Sequence, residues 1–393
     1  MMKPTEELLL KGAQIPRIDH LPLPRYAMAN LDYGMTIGTT VTHGGRIFAC
    51  WVGGGDNEKA FFLLAYSDDK GQSWTEPCLC IDPHDDSLPC DRCTIVGTLW
   101  VDPSGRLWLF FNQSLLHYDG RSTNWYIRCD APDEPVLNWT SPVYVSDGCT
   151  LNKPTVLSNG EWMLPVSIWA RHHIKQPFED CFHELDDIRM ANVFVSADQG
   201  NTWERRGGVR FPQSRFDEHM IVERRDGTLW MIGRVQDGLM ESFSQDAGRT
   251  WTEPARARVQ SVSARYHLRR LRSGRLLLIK HGVKPEQAAE NRSWLTAFLS
   301  DDDGETWSKG FVIDERFEVS YPDADQDAAG QIYITYDRNR ALDGEILMAS
   351  LCEEDLLAGC LVTPGSFLKR VILRPGAIRR VAQVEGTEKE EVL

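Results

Sequence analysis

Glu218, Arg265 and Tyr321 share one register: each stands nine residues before a glycine that opens a β-forming pair, at Gly227, Gly274 and Gly330. Seven residues after the same glycines stand Arg234, His281 and Asp337. If each glycine turns a hairpin, both offsets fall near the same end of its two strands, and the side chains gather in one place. A carboxylate, a phenol and two guanidinium groups are an unusual set for the interior of a β-protein, because charged groups avoid burial unless paired or functional. One reading is a structural ion network that plugs a wet channel. A second is chemistry on an acidic sugar. A lyase acting on a uronate must neutralise a carboxylate, remove the adjacent proton and protonate the leaving oxygen. Arg234 with Arg265 or Arg292 could do the first, and His219, His281 or Tyr321 the others.

The elements that must position this set are repeats. The glycine pattern occurs six times, at Gly45, Gly105, Gly160, Gly227, Gly274 and Gly330, with intervals of 60, 55, 67, 47 and 56 residues. Each interval suits one four-stranded propeller blade. A second, independent pattern, Ser-x-Asp-x-Gly-x-Ser/Thr-Trp, occurs four times, ending at Trp74, Trp203, Trp251 and Trp307, with a degenerate copy at Trp139. In it Asp and Gly make a tight turn, Ser and Asp bond turn amides, and Trp anchors the turn in the core. Helical periodicity is confined to Glu353–Leu357. The chain therefore reads as an all-β, six-bladed β-propeller over residues 31–364. Residues 1–30 form an N-terminal extension and 365–393 a C-terminal tail, its end disordered. In the first three units the positions equivalent to Glu218 are Thr36, Val96 and Leu151, so the charged set lies in one half of the channel.

Composition narrows the function. The 393 residues carry 57 acidic and 43 Lys and Arg side chains, a formal net charge of −14, which argues against a nucleic-acid binder and an anionic membrane surface. No apolar run approaches a membrane helix and the N-terminus lacks a secretory plan, so a cytoplasmic setting is expected. The ten cysteines read as buried free thiols, although Cys78-x-Cys80 and Cys90-x2-Cys93 bring four sulfurs close in sequence. No cofactor and no metal are expected, and the reading of the charged set as a site for an acidic sugar makes a carbohydrate the expected partner.

The Asp-box hairpins, the glycine units and the segment Phe216 to Trp230 resemble the sialidase (neuraminidase) superfamily of BNR or Asp-box repeat proteins, over approximately residues 30–350. In that family a Glu is followed about sixteen residues later by a carboxylate-binding Arg and then by an Asp box; Glu218, Arg234 and the box at Ser244 repeat the order. Arg292 precedes the box at Ser300 as another family Arg does. Tyr321 through Tyr336-Asp337 resembles the segment opened by the nucleophilic Tyr, with Asp for Glu. The resemblance implies an exo-acting glycoside hydrolase on a terminal acidic sugar, sialic-acid-like or uronic. Tyr321 would be the nucleophile, Glu218 its base, Asp56 (or Glu58) the acid/base, and Arg234 and Arg292 the carboxylate clamp. The family's first strand carries an Arg-Ile-Pro arginine. Here that strand reads Tyr33-Gly34-Met35-Thr36-Ile37-Gly38, and Arg17-Ile18 lies too far upstream. Either Arg265 substitutes for it, or the substrate is not a typical sialoside, and the nearly neutral wall of Met35, Thr36 and Ile37 favours the second. A clamp short of one arginine implies that ordinary α-sialosides are poor substrates.

Uronate lyase is the alternative reading, and a non-catalytic glycan-binding propeller the third, with Trp51, Trp169, Trp294 or Tyr266 stacking on sugar faces. Lys153 in Asn152-Lys153-Pro154 is a further candidate for an anionic substrate. The segment from His172 to Asp187 is expected to form a mobile loop over the channel mouth.

Overall fold

A computed structural model describes residues 4–340 and 342–376. Six antiparallel sheets follow one another along the chain. Their innermost strands are Met35–Val41, Gly97–Val101, Thr155–Val156, Ser214–Glu223, His267–Arg270 and Val319–Gln326. This is the six-bladed propeller that the two repeats predict. Each of the six unit glycines sits at positive φ, between 83° and 93°, where only glycine turns the innermost hairpin without strain.

The core is a ring of contacts between neighbouring blades. Trp100, Trp108 and Phe110 of the second blade pack on Trp162 and Leu164 of the third. Met220 and Trp230 of the fourth meet Leu276 and Leu278 of the fifth. Val41, Ile47 and Trp51 of the first meet Tyr333, Ile346 and Met348 of the sixth and close the ring. Polar bonds reinforce the closure: Thr36 N donates to Asp337 Oδ2 at 3.0 Å and Thr39 N to Asp323 Oδ2 at 2.8 Å.

The four Asp boxes share one bonding scheme. The serine hydroxyl accepts the glycine N–H at 2.7–2.9 Å, and the aspartate accepts the Ser/Thr hydroxyl at 2.6–2.7 Å. The glycine presses on the preceding blade: a Cβ on Gly200 would meet Trp108 at 2.6 Å, and one on Gly304 would meet Trp230 at 2.6 Å. The box tryptophans Trp74, Trp203, Trp251 and Trp307 are half-buried wedges against that core, not the fully buried anchors expected. At the degenerate copy, Thr140 N donates to Arg128 O at 2.9 Å, as Thr75 N does to Tyr66 O at 3.0 Å.

Two sequence boundaries move. Phe367–Leu373 pairs with Glu345–Leu351 as the outer strand of the sixth blade, so the propeller runs past residue 364. The N-terminal extension is ordered: Glu6–Gly12 is a helix, and Ile18–Asp19 adds a fifth strand to the first blade by pairing with Leu79–Ile81. The short helix near the end is Glu353–Ala358. The segment expected to be disordered lies outside the described residues. Among the described residues no helix is long and apolar enough to cross a membrane. All ten cysteines are free thiols. Among the described residues no group of His, Cys, Asp or Glu could hold a metal ion.

Candidate active site

The innermost strand of the fourth blade carries a kink at its upper end. Phe216, Asp217 and Glu218 have φ of 67°, 57° and 44°, three consecutive non-glycine residues in the left-handed region. Each such residue costs about 1–3 kcal/mol, and such strain persists only where surrounding bonds hold it. Here Asp217 N donates to Ser214 Oγ at 3.0 Å, and the Asp217 carboxylate accepts the Ser214 hydroxyl. From the preceding, third blade Asn152 Nδ2 donates to the carbonyls of Glu218 and His219, both at 3.0 Å. Burial pushes the Asp217 carboxyl up to about 6. Tyr321 is likewise left-handed, at φ 51°.

These kinks bring together residues 103 positions apart. Tyr321 Oη donates to Glu218 Oε1 at 2.8 Å, and Arg234 Nη1 donates to the same oxygen at 2.9 Å. Glu218 is completely buried and, among the described residues, its Oε2 has no partner. Burial, with the Glu218 charge, pushes the Tyr321 phenol up to about 12, against the opposing charges of Arg234 and Arg340. The phenol is therefore protonated at rest and needs an adjacent base to become a nucleophile.

Four guanidinium groups lie around Tyr321, one of them Arg265 with its Cζ 5.8 Å from the ring centre. Arg234 reaches it through Glu218 and donates through Nε to Ser263 Oγ at 3.2 Å. Arg292 donates to Ser320 Oγ at 3.0 Å, beside Tyr321, and its Nη2 lies 3.5 Å from the Ser263 carbonyl. Arg340 lies 4.1 Å over the Tyr321 ring and is held by Asp337 through two bonds of 2.8 and 2.9 Å. Arg340 was not found from the sequence. It stands three residues beyond the Asp337 position, outside the aligned register, and only its spacing from Asp337 could have signalled it.

Asp56 lines the same cavity from a loop of the first blade, with Met35, His117, Trp169, Glu218 and Tyr321. Its side chain is half-exposed, 4.0 Å from His117 Nε2 and 3.8 Å from Arg340 Nη1. Burial alone would raise its pKa, but the neighbouring His117 imidazole and the charge of Arg340 outweigh it and hold the carboxyl below its ordinary value. Glu58, the alternative acid, does not line this cavity.

Several expected residues lie elsewhere. Arg265 is buried beneath the site, donating to Asn152 Oδ1 and to the carbonyls of Ile37 and Leu151 at 3.0, 2.8 and 2.7 Å. With three donors committed it braces the channel and does not complete a clamp. Lys153 is buried farther down, paired with Asp323. His219 Nε2 is bonded to the Asn192 carbonyl and His281 Nε2 to the Val319 carbonyl, both at 2.8 Å. Burial lowers both imidazoles to about 4, so they hold strands and stay neutral. Asp337 acts through Arg340. Arg17 bonds Asp19 at 2.9 Å on the surface. Trp51 and Tyr266 are core, Trp169 lines the cavity, and Trp294 is 47 % exposed. The segment from His172 to Asp187 reaches the cavity wall, where the His173 ring lies 4.5 Å from Phe216.

A polar, strained site at one end of a six-bladed propeller built on Asp boxes defines the class. Residues 45–334 match the BNR repeat-like domain family, and the chain belongs to it. No curated protein matches. Among solved structures, the chain is similar to a Hadza microbial sialidase at 19 % identity and TM-score 0.60, covering 79 % of this chain and 64 % of that one. It is similar to the NanB sialidase of Streptococcus pneumoniae at 13 % identity and TM-score 0.61, covering 87 % and 71 %. A Dyadobacter fermentans protein of unknown function aligns at 15 % identity and TM-score 0.58, over 83 % of this chain and 95 % of that one. These likenesses establish a sialidase-like fold.

Proposed function

We propose that the protein is an exo-glycosidase that removes a terminal sialic-acid-like sugar, using Tyr321 as nucleophile. The observation that carries this reading is the 2.8 Å bond from Tyr321 to Glu218 inside a ring of Arg234, Arg292 and Arg340. A sugar with a carboxylate on its anomeric carbon repels a carboxylate nucleophile, whereas a phenol carries no charge until it reacts. Glu218 takes the Tyr321 proton as the phenolic oxygen bonds to the anomeric carbon. Asp56 protonates the departing glycosidic oxygen, and then takes a proton from the water that releases the sugar and restores the tyrosine. The arginines bind the substrate carboxylate in the fork geometry that Lys cannot copy.

Arg340 removes the reason for expecting ordinary sialosides to be poor substrates: the third guanidinium is present, from the sixth blade instead of the first. The lyase reading loses support because His219 and His281 have their Nε2 atoms committed to carbonyls. A panel of aryl sialosides and uronate glycosides tests the proposal. Release of a sialic-acid-like sugar without near-UV absorbance is expected. An unsaturated product absorbing in the near-UV would establish a lyase, and binding without turnover a non-catalytic propeller.

A further inference from the structure

Lys280 is a buried amine without an acid. It stands one residue before the end of Leu276–His281, the second strand of the fifth blade, and is completely buried. Its Nζ donates to two carbonyls, those of His281 at 2.8 Å and Gln287 at 2.9 Å, and lies 5.6 Å from the centre of the Phe298 ring. Among the described residues it has no carboxylate partner. Burial pushes the amine down to about 7, against the opposing charge of Glu286. A buried polar group of this kind is costly to keep. One of its two carbonyls belongs to the loop after the strand, so the amine ties that loop to the blade.

The loop has little else to hold it. Residues 283–290 are exposed or half-exposed, and none joins a core cluster. Among the described residues two hydrogen bonds join this stretch to the rest of the protein: Lys280 Nζ to Gln287 O, and Gln260 N to Pro285 O at 2.8 Å. Arg292 follows at the loop's return. Ser293 N donates to Asn291 O at 2.9 Å and Ser293 Oγ to Asn291 Oδ1 at 2.6 Å, so Arg292 stands at the apex of a tight turn. Trp294 is left-handed, at φ 55°, and its carbonyl accepts Gly282 N at 2.9 Å, which closes the neck of the loop. The Arg292 guanidinium makes no ion pair among the described residues; its bonds go to Ser320 Oγ and Ser263 O. Its backbone therefore sets its place, on one side through Val319 N, which donates to Arg292 O at 3.1 Å, and on the other through the loop.

We propose that Lys280 is a positioning residue: by holding the Gln287 carbonyl it fixes the loop and, through the turn at Asn291 and Ser293, the guanidinium of Arg292. The inference rests on the reading of Arg292 as part of the carboxylate clamp. A loose loop lets Arg292 swing away from the substrate carboxylate and costs binding. Tyr321, Glu218 and Asp56, which carry the bond-breaking steps, belong to other blades and stay in place.

Lys280→Met keeps the length of the side chain and removes its donors. Two measurements on the full chain test the proposal. The first is limited proteolysis by a glutamate-specific protease, read by mass spectrometry at Glu286 and Glu290, which needs no sugar. Cleavage about tenfold faster in Lys280→Met is expected, with cleavage elsewhere unchanged. The second is steady-state kinetics with an aryl sialoside. KM about tenfold higher with kcat within about twofold is expected, because binding alone is lost. Gly282→Ala displaces the same loop with Lys280 in place, since its φ is 90° and a Cβ there would meet Ala289 N at 3.2 Å; it should raise KM likewise. Equal cleavage of wild type and Lys280→Met overturns the hold on the loop. So does wild-type cleavage as fast as that of the free peptide 283–293, a comparison that stands even if Lys280→Met fails to fold. Faster cleavage with unchanged KM, or a fall in kcat in place of a rise in KM, overturns the positioning of Arg292. A wild-type enzyme inert on every sialoside defeats the functional reading alone, and proteolysis then decides whether Lys280 holds the loop.

Discussion

Asp337 binds Arg340 through two parallel hydrogen bonds of 2.8 and 2.9 Å and lays its guanidinium over the ring of Tyr321. The same carboxylate accepts the backbone N–H of Thr36, in the strand whose arginine is missing. One buried acid thus ties the first blade to the sixth and presents a cation to Tyr321. Arg340→Lys keeps the charge but loses the fork, and Arg340→Ala loses both. A charge-assisted bond contributes about 1.5–3 kcal/mol, so KM for an aryl sialoside should rise by one to two powers of ten in Arg340→Ala. Asp337→Asn should raise KM as well, by releasing Arg340. Steady-state kinetics with unchanged circular dichroism check both.

Tyr321→Phe removes the phenolic oxygen and little else. Turnover should fall by several powers of ten with the fold intact. Glu218→Gln should be nearly as severe, because it deprives Tyr321 of its base and Arg234 of its counter-charge. A Phe variant with full activity excludes Tyr321 as the nucleophile.

The pH profile should report Asp56. A leaving-group acid must be protonated, and the folded protein holds Asp56 below its ordinary pKa. The value of kcat/KM should therefore be highest in acid and fall as pH rises through the Asp56 pKa. His117 is the largest of the groups lowering it. His117→Ala should move the alkaline limb to higher pH. An unmoved limb would mean that another group donates the proton.

The repeats made most of the fold legible, because each blade restates the same glycine turn and most restate the Asp box. They also placed Glu218 and Tyr321 at one height, since both obey the register. Arg340 was illegible because it follows a strand end, where the loop and not the repeat sets direction. Arg265 and Lys153 obey the register and yet serve the channel. Register fixes height in the propeller but not which partner a long side chain finds. The outer strand Phe367–Leu373 was missed because its half-exposed residues carry little of the alternation that marks a strand.

The kink at Phe216–Glu218 has a measurable cost. The Asp217 pKa of about 6 is above the ordinary aspartate value of about 3.9. The folded state therefore binds this proton more tightly, and stability falls as pH rises from about 4 to about 6. Asp217→Asn keeps an acceptor for Ser214 and removes the buried charge. It should raise the melting temperature at pH 7.5 and leave it nearly unchanged at pH 4. Asp217→Ala loses the bond that holds the kink, and should lower kcat more than it changes KM. Thermal scans at the two pH values separate the contributions.

Lys153 and Asp323 form the opposite case, a buried pair whose role is structural. Burial would raise the Asp323 pKa, but the Lys153 ammonium and the His267 bond hold it far below the usual carboxylate range. A depressed acid contributes stability above its unfolded pKa and loses it as pH falls toward the folded value. The channel should therefore weaken in strong acid. Asp323→Asn strands a buried ammonium and should cost about 3–5 kcal/mol, whereas a paired Lys153→Met, Asp323→Leu replacement should cost much less. Neither residue lines the cavity with Tyr321. Lys153→Met should accordingly lower the denaturation midpoint and leave KM for a sialoside unchanged. A selective rise in KM, with stability intact, would return Lys153 to the substrate site where its sequence position had suggested it.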